Sequence, residues 1–193
     1  MMDEQSLLSE FLAFYEKIGG EFCDFQTVTD SKRWLNTLVP AAAESLQVIG
    51  RQKSGSLICF WQQSPQHASE IDRPVVWLDS EGSPFSVFAP NFHTFLSLLP
   101  YDTGMIYDMV TAWEEYLETG DDWVVSTERF SDDKLKMYMD MTRENYPHYE
   151  QFIDWLKETG VEIANAPVQV IGEAIKNLPQ LREWLDTLPK IKE

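Results

Sequence analysis

Positive charge is what this chain most lacks. Its 193 residues carry 15 Lys and Arg against 32 Asp and Glu, a formal charge of −17. Between Arg73 and Arg129 there is no Lys or Arg at all. A field of that sign repels phosphate backbones and anionic bilayers, so the sequence argues against nucleic-acid binding and against membrane-surface binding. It steers basic partners inward instead. An acidic surface also keeps a protein soluble without any partner, and that reading stands beside the first.

Cysteine is equally scarce. Cys23 and Cys59 lie among Phe22, Phe25, Ile58 and Phe60. Neither has metal-ligand spacing, and the pair does not form a disulfide framework. Both read as buried free thiols in a reducing cytosol. No stretch reaches 18 uninterrupted apolar residues, so no membrane span is expected. The segment MMDEQSLLSEF has acids where a secretion signal needs bases, which predicts a cytoplasmic protein.

The motifs of common chemistries are missing as well. His67, His93 and His148 are far apart and fit no zinc-site pattern; His93, beside Phe92, is expected to be half-buried. There is no GxSxG elbow and no phosphate loop, because Gly50–Gly55 lacks a following Gly-Lys-Ser/Thr. Acid–base catalysis needs carboxylates that converge with split pKa values. Glu114-Glu115 and Asp121-Asp122 are adjacent pairs, which point apart on a helix or lie in a loop. The expectation is a protein that is not an enzyme and takes no metal or cofactor.

What is present is an ordered series of amphipathic segments. Hydrophobic residues make up 44% and aromatics 13%, enough for a packed core. Leu7, Leu8, Phe11, Leu12, Tyr15 and Ile18 repeat at helical spacing until Gly19-Gly20. Trp34, Leu35 and Leu38 fit a short helix ending at Pro40, with a strand as the alternative. Four short apolar runs then predict strands: Leu46–Ile49, Leu57–Trp61, Val75–Leu78 and Phe85–Phe88. A turn at 52–55, a polar loop over 62–73 and a turn at 79–82 separate them. Links this short favour an antiparallel meander.

Helices follow. Asn91 is placed to cap one carrying Phe92, Phe95, Leu96 and Leu99. Thr103 is placed to cap another, with Ile106, Met109, Val110, Trp113 and Leu117 on its apolar stripe and Gly120 as its stop. Ser131 opens a third, where Met137, Tyr138, Met139 and Met141 read as core filler, with a permissive binding surface as the alternative. Pro147 fits a first turn ahead of Tyr149 to Leu156, with Gly160 as the stop, and Pro167 and Pro179 open two more. Grouped strands flanked by helices predict an α+β fold with a central antiparallel meander.

The stretches IGRQKSGSLICFWQQ and PVVWLDSEGSPFSVFAPNFHTFLSLL carry a family resemblance. Gly50, Gly55, Phe60, Trp61, Val76, Trp77, Leu78, Glu81, Gly82, Phe92, Phe95, Leu96 and Leu99 are similar to the core pattern of the SMI1/KNR4 (SUKH) superfamily. The resemblance spans about residues 6–118 and is densest over 48–100, with Leu38-Val39-Pro40 as a weak counterpart of the family's Leu-Pro pair. It implies an α+β domain over 1–119. Residues 120–193 lie outside the resemblance; their helices keep apolar stripes carrying Trp155 and Trp184, which predicts a helical extension packed on the same body, since a short helix alone is marginal in water. It also implies a protein-binding role. Many bacterial members are immunity proteins that neutralise a toxin domain, often a nuclease, and fungal members are signalling scaffolds. A chain of charge −17 suits a basic toxin domain as partner; a scaffold outside any toxin system is the alternative.

The candidate contact residues are Asp79, Glu81, Asp102, Glu114, Glu115, Glu118, Asp121, Asp122 and Trp123. They form one acidic patch if the turn at 79–82 and the helix end at 114–122 share a face, and a dispersed solvated surface if they do not. Trp123 reads as core, as a strand residue, or as an interface anchor of the kind Trp often provides.

Overall fold

A computed structural model of the chain describes residues 4–19, 22–28, 33, 35, 40–62, 73–79 and 86–188. Most of the expected helix around Trp34–Leu38, most of the loop at 62–73, the turn at 80–82, Phe85, Glu81 and His67 lie outside the described residues.

The fold is α+β, with a four-stranded antiparallel meander in the order β1-β2-β3-β4. The strands are β1 (Leu46–Arg51), β2 (Leu57–Trp61), β3 (Val75–Leu78) and β4 (Ser86–Ala89). Strands β2 to β4 are buried along their whole length, so both faces of the sheet are covered. This explains their continuous apolar sequences, since a one-sided sheet would alternate apolar with polar. Consecutive residues of β2 show the two covers: Phe60 packs on Phe92 at 5.6 Å, and Trp61 packs on Trp184 at 5.5 Å.

The helices are α1 (Glu4–Ile18), α2 (Phe92–Leu98), α3 (Thr103–Thr119), α4 (Asp132–Asn145), α5 (Tyr149–Thr159), α6 (Pro167–Ile175) and α7 (Leu178–Thr187). Their ends follow local chemistry. Asn91 accepts from Thr94 N at 2.8 Å and Ser131 accepts from Lys134 N, each satisfying an otherwise unpaired first-turn donor. Gly120 and Gly160 close α3 and α5 with φ near +70°, which costs glycine little.

One core runs through the body. Phe11 of α1 lies within 6.5 Å, ring to ring, of Phe22, Phe25, Phe92, Phe152 and Trp155. Phe22 stacks on Phe152 at 4.5 Å, which ties the N-terminal segment to α5. Helix α6 packs on β4 and α3, and Gly172 permits its close approach, because a Cβ there would sit 2.3 Å from Trp113. Residues before and after position 120 therefore share one hydrophobic cluster.

Several expectations need correction. Thr103 is not a cap: Asp102 caps α3, and Thr103 is its buried first residue. Leu117 is 53% exposed, because the far turn of α3 runs past the end of the core. Pro147 precedes α5, whose cap position is His148. Met137 and Met141 are exposed rather than core, since α4 lies on the surface with a narrow buried stripe. His93 is exposed, because the side of α2 that bears it faces solvent.

Candidate functional site

Backbone geometry marks one corner of the molecule. Among the described residues, Cys23, Asp24 and Asp102 are the non-glycine positions with positive φ, at 52°, 54° and 73°. Cys23 and Asp24 form the two-residue bend of a tight turn, with Phe25 N donating to Phe22 O at 2.9 Å. Positive φ at both bend positions is normally met with Asn-Gly or Asp-Gly. Asp102 combines φ 73° with ψ 145°, a region that is essentially glycine's.

All three positions meet at Thr103. Its N–H donates to Cys23 O at 3.3 Å, and its hydroxyl lies 3.1 Å from Asp24 Oδ2. The same hydroxyl accepts from Gln52 Nε2 at 2.8 Å, so the β1–β2 turn joins the cluster. Asp24 also accepts from Lys53 N at 3.3 Å. Gln52 and Thr103 are buried, and their mutual bonding satisfies both.

A groove of about 470 Å³ opens beside this cluster, between the first turns of α3 and the last turns of α4. Asp102, Tyr107 and Asp108 line one side; Tyr138, Met141 and Tyr146 line the other. On α4, Tyr138, Met141, Thr142 and Asn145 follow i, i+3, i+4, i+7 spacing, the signature of one helix face. A second hollow of about 350 Å³ shares Gly104 and Tyr107 with the first, and reaches Asp24 and Asp79. Tyr107 is the ridge between them, 39% exposed and leaning on Trp77 at 5.5 Å.

The electrostatics are consistent with the geometry. Burial pushes the Asp102 carboxyl up to about 6, with Asp24 adding to the rise and Lys53 and the Gly104 N–H opposing it. Burial also raises Asp108, against the pull of Arg129. The Lys53 ammonium sits 5.0 Å from the ring centre of Tyr146, so a tyrosine face at the groove's rim already receives a cation.

The expected contact residues divide. Asp79 and Asp102 come to this corner. Glu115 and Glu118 stand 13 and 16 positions beyond Asp102, about 20 and 24 Å along α3 at 1.5 Å per residue, and Asp121, Asp122 and Trp123 follow the helix end. Glu115 there pairs with Arg129 at 3.6 Å. Trp123 is 56% exposed in a 3-10 turn with the Arg129 guanidinium near its ring, so it is neither core nor strand. Glu114 is half-buried and turned inward toward Ser86 and Arg182, and burial raises its pKa. Its Oε1 and the Ser86 hydroxyl lie close without reaching hydrogen-bond geometry, so the hydroxyl acts as a nearby dipole that offsets part of the burial. Glu81 lies outside the described residues. Sequence reading did not single out Asp24, Tyr107, Tyr138 and Tyr146 as a site; the α4 spacing was legible, but not what it faces.

No protein-family model, curated protein or solved structure matches this chain. Among the described residues no helix is long and apolar enough to cross a membrane, and no group of three His, Cys, Asp or Glu is placed to hold a metal ion.

Proposed function

We propose that this chain is a protein-binding module that acts by docking rather than by catalysis, and that its partner is a basic protein, in the manner of an immunity protein covering a toxin domain. The observation that supports the reading is the corner where two hollows adjoin at Tyr107, one lined by Asp102 and Asp108 with three tyrosines and the other by Asp24 and Asp79. The 55 positions between Arg73 and Arg129 that lack Lys and Arg include three of these four carboxylates. Fixed negative charge on a concave surface concentrates field lines and speeds the encounter with a cationic patch. Backbone strain of order 1–3 kcal/mol per residue, held at three adjoining positions, is characteristic of surfaces kept for function rather than stability. The toxin-inhibitor form of the reading rests on the SUKH resemblance and on a nuclease's need for basic, phosphate-binding surfaces.

The test is capture from native lysate by the tagged chain at low and high salt, alongside a variant carrying Asp79→Lys and Asp108→Lys. The expected result is a basic protein retained by the native chain at low salt, released at high salt, and not retained by the variant. Equal capture by both chains would overturn the reading, because a docking surface centred on this corner cannot tolerate two reversed charges.

A further inference from the structure

Resting on that reading, we infer that the groove between α3 and α4 is the seat of one arginine side chain from the basic partner. The guanidinium stacks between Tyr107 and Tyr138 and faces Asp102 and Asp108, beside the Tyr146 ring over which Lys53 already sits.

Three features of the groove select that chemistry. Its walls combine tyrosine side chains with carboxylates, and a cation over an aromatic ring is favoured most when water is partly excluded. Its volume of about 470 Å³ is larger than a compact ammonium fills and accommodates a flat guanidinium with its aliphatic stem. Met105 and Met141, also in the lining, offer adaptable apolar surface to that stem. The two carboxylates stand six residues apart on and beside α3, so they approach a ligand from separate directions. A planar group with five N–H donors can serve both, whereas an ammonium cannot stack and bridge together.

The Lys53 ammonium over Tyr146 gives an internal precedent for a cation on one of these rings. Asp102 is partly withdrawn from water, which disfavours its carboxylate in the free protein. An incoming guanidinium relieves this directly, by replacing lost hydration with charge-assisted hydrogen bonds. The free protein therefore holds the carboxylate ready, and the ligand's charge completes its environment.

The test uses the full chain and a fluorescein-labelled hexa-arginine peptide, read by anisotropy at pH 8 and low salt, with hexa-lysine and hexa-citrulline as competitors. Arginine peptide is expected to compete several-fold better than lysine peptide, and citrulline peptide not at all. Tyr138→Leu, which changes no charge, should weaken binding about fivefold. Asp108→Asn should weaken it about tenfold. Glu158→Gln, an equal change of charge on an exposed face of α5, should shift it less than twofold. If Tyr138→Leu has no effect, and Asp108→Asn and Glu158→Gln weaken binding equally, the arginine seat is overturned while docking by diffuse negative charge survives. If the native chain does not bind hexa-arginine even at low salt, the seat and the acidic docking reading both fall. Tyr138→Phe, which keeps the ring face, should bind like the native chain, and its failure to do so would also overturn the seat.

Discussion

Replacing Asp102 with asparagine separates charge from shape at the corner on which the functional reading rests. The Asp102 side chain accepts from Gly104 N at 2.8 Å, and an asparagine oxygen can make the same cap. Asparagine is also the residue closest to aspartate in tolerating positive φ, so the backbone strain is nearly unchanged. Only the ionisation is lost. In the native fold that carboxyl is raised to about 6 from an ordinary value near 3.8, chiefly by burial. The unfolded chain restores the ordinary value, so between pH 4 and 6 the folded state binds the extra proton. Native stability must therefore fall as pH rises through that window. The full difference corresponds to about 3 kcal/mol. The side chain is only partly withdrawn from water, which screens some of that, and about 2 kcal/mol is expected.

Urea denaturation of both chains from pH 4 to pH 8 tests this. The Asp102→Asn chain should match the native chain at pH 4, pull ahead between pH 4 and 6, and hold a constant advantage of about 2 kcal/mol above that. A gap independent of pH would refute the reasoning, because it would show that the substitution acts through packing or the cap. A gap that narrowed as pH rose would mean that the carboxylate stabilises the fold. The variant should also bind hexa-arginine more weakly than the native chain, which would make the lost stability the counterpart of binding.

Two further outcomes follow from the core. Gly50→Ala would place a Cβ 2.3 Å from Phe25 Cζ and 2.6 Å from the Gln26 carbonyl. Phe25 is fully buried against Phe11 at 5.5 Å and cannot move aside, so a loss of about 3 kcal/mol is expected. Calorimetry should then show a Tm lower by roughly 6–12 °C, and an unchanged Tm would refute the close approach. Cys23 and Cys59 are fully buried, and burial pushes both thiols up from their usual value. Neither should react with Ellman's reagent in the folded chain, and both should react in denaturant; stoichiometric labelling of the native protein within seconds would contradict this.

The sequence alone determined the inventory and order of elements, for reasons that act within a few residues. Apolar spacing revealed α1 through Phe11 and Tyr15, and continuous apolar runs revealed β2 and β3 because both faces of the sheet are covered. Asn91, Ser131, Gly120 and Gly160 marked helix ends through hydrogen bonds that span at most four residues. The short links between strands implied a meander. Even at this range one competition went unseen: Asp102 and Thr103 are both good caps, and the choice fell to Asp102 because the Thr103 hydroxyl is drawn inward to Asp24 and Gln52.

Only the tertiary structure decided which charges meet. Thr103 and Asp24 stand 79 positions apart in the chain and touch because the Phe22–Phe25 turn is pinned into the aromatic core. Asp102 and Glu118 are near in sequence, yet a rigid helix holds them apart at its two ends. Glu114 carries the same charge as its neighbours, and the packing of α3 against β4 turned it inward. Composition made the surface acidic. The placement of α4 beside the start of α3 made part of it concave, because a groove belongs to two helices together and to neither one's periodicity.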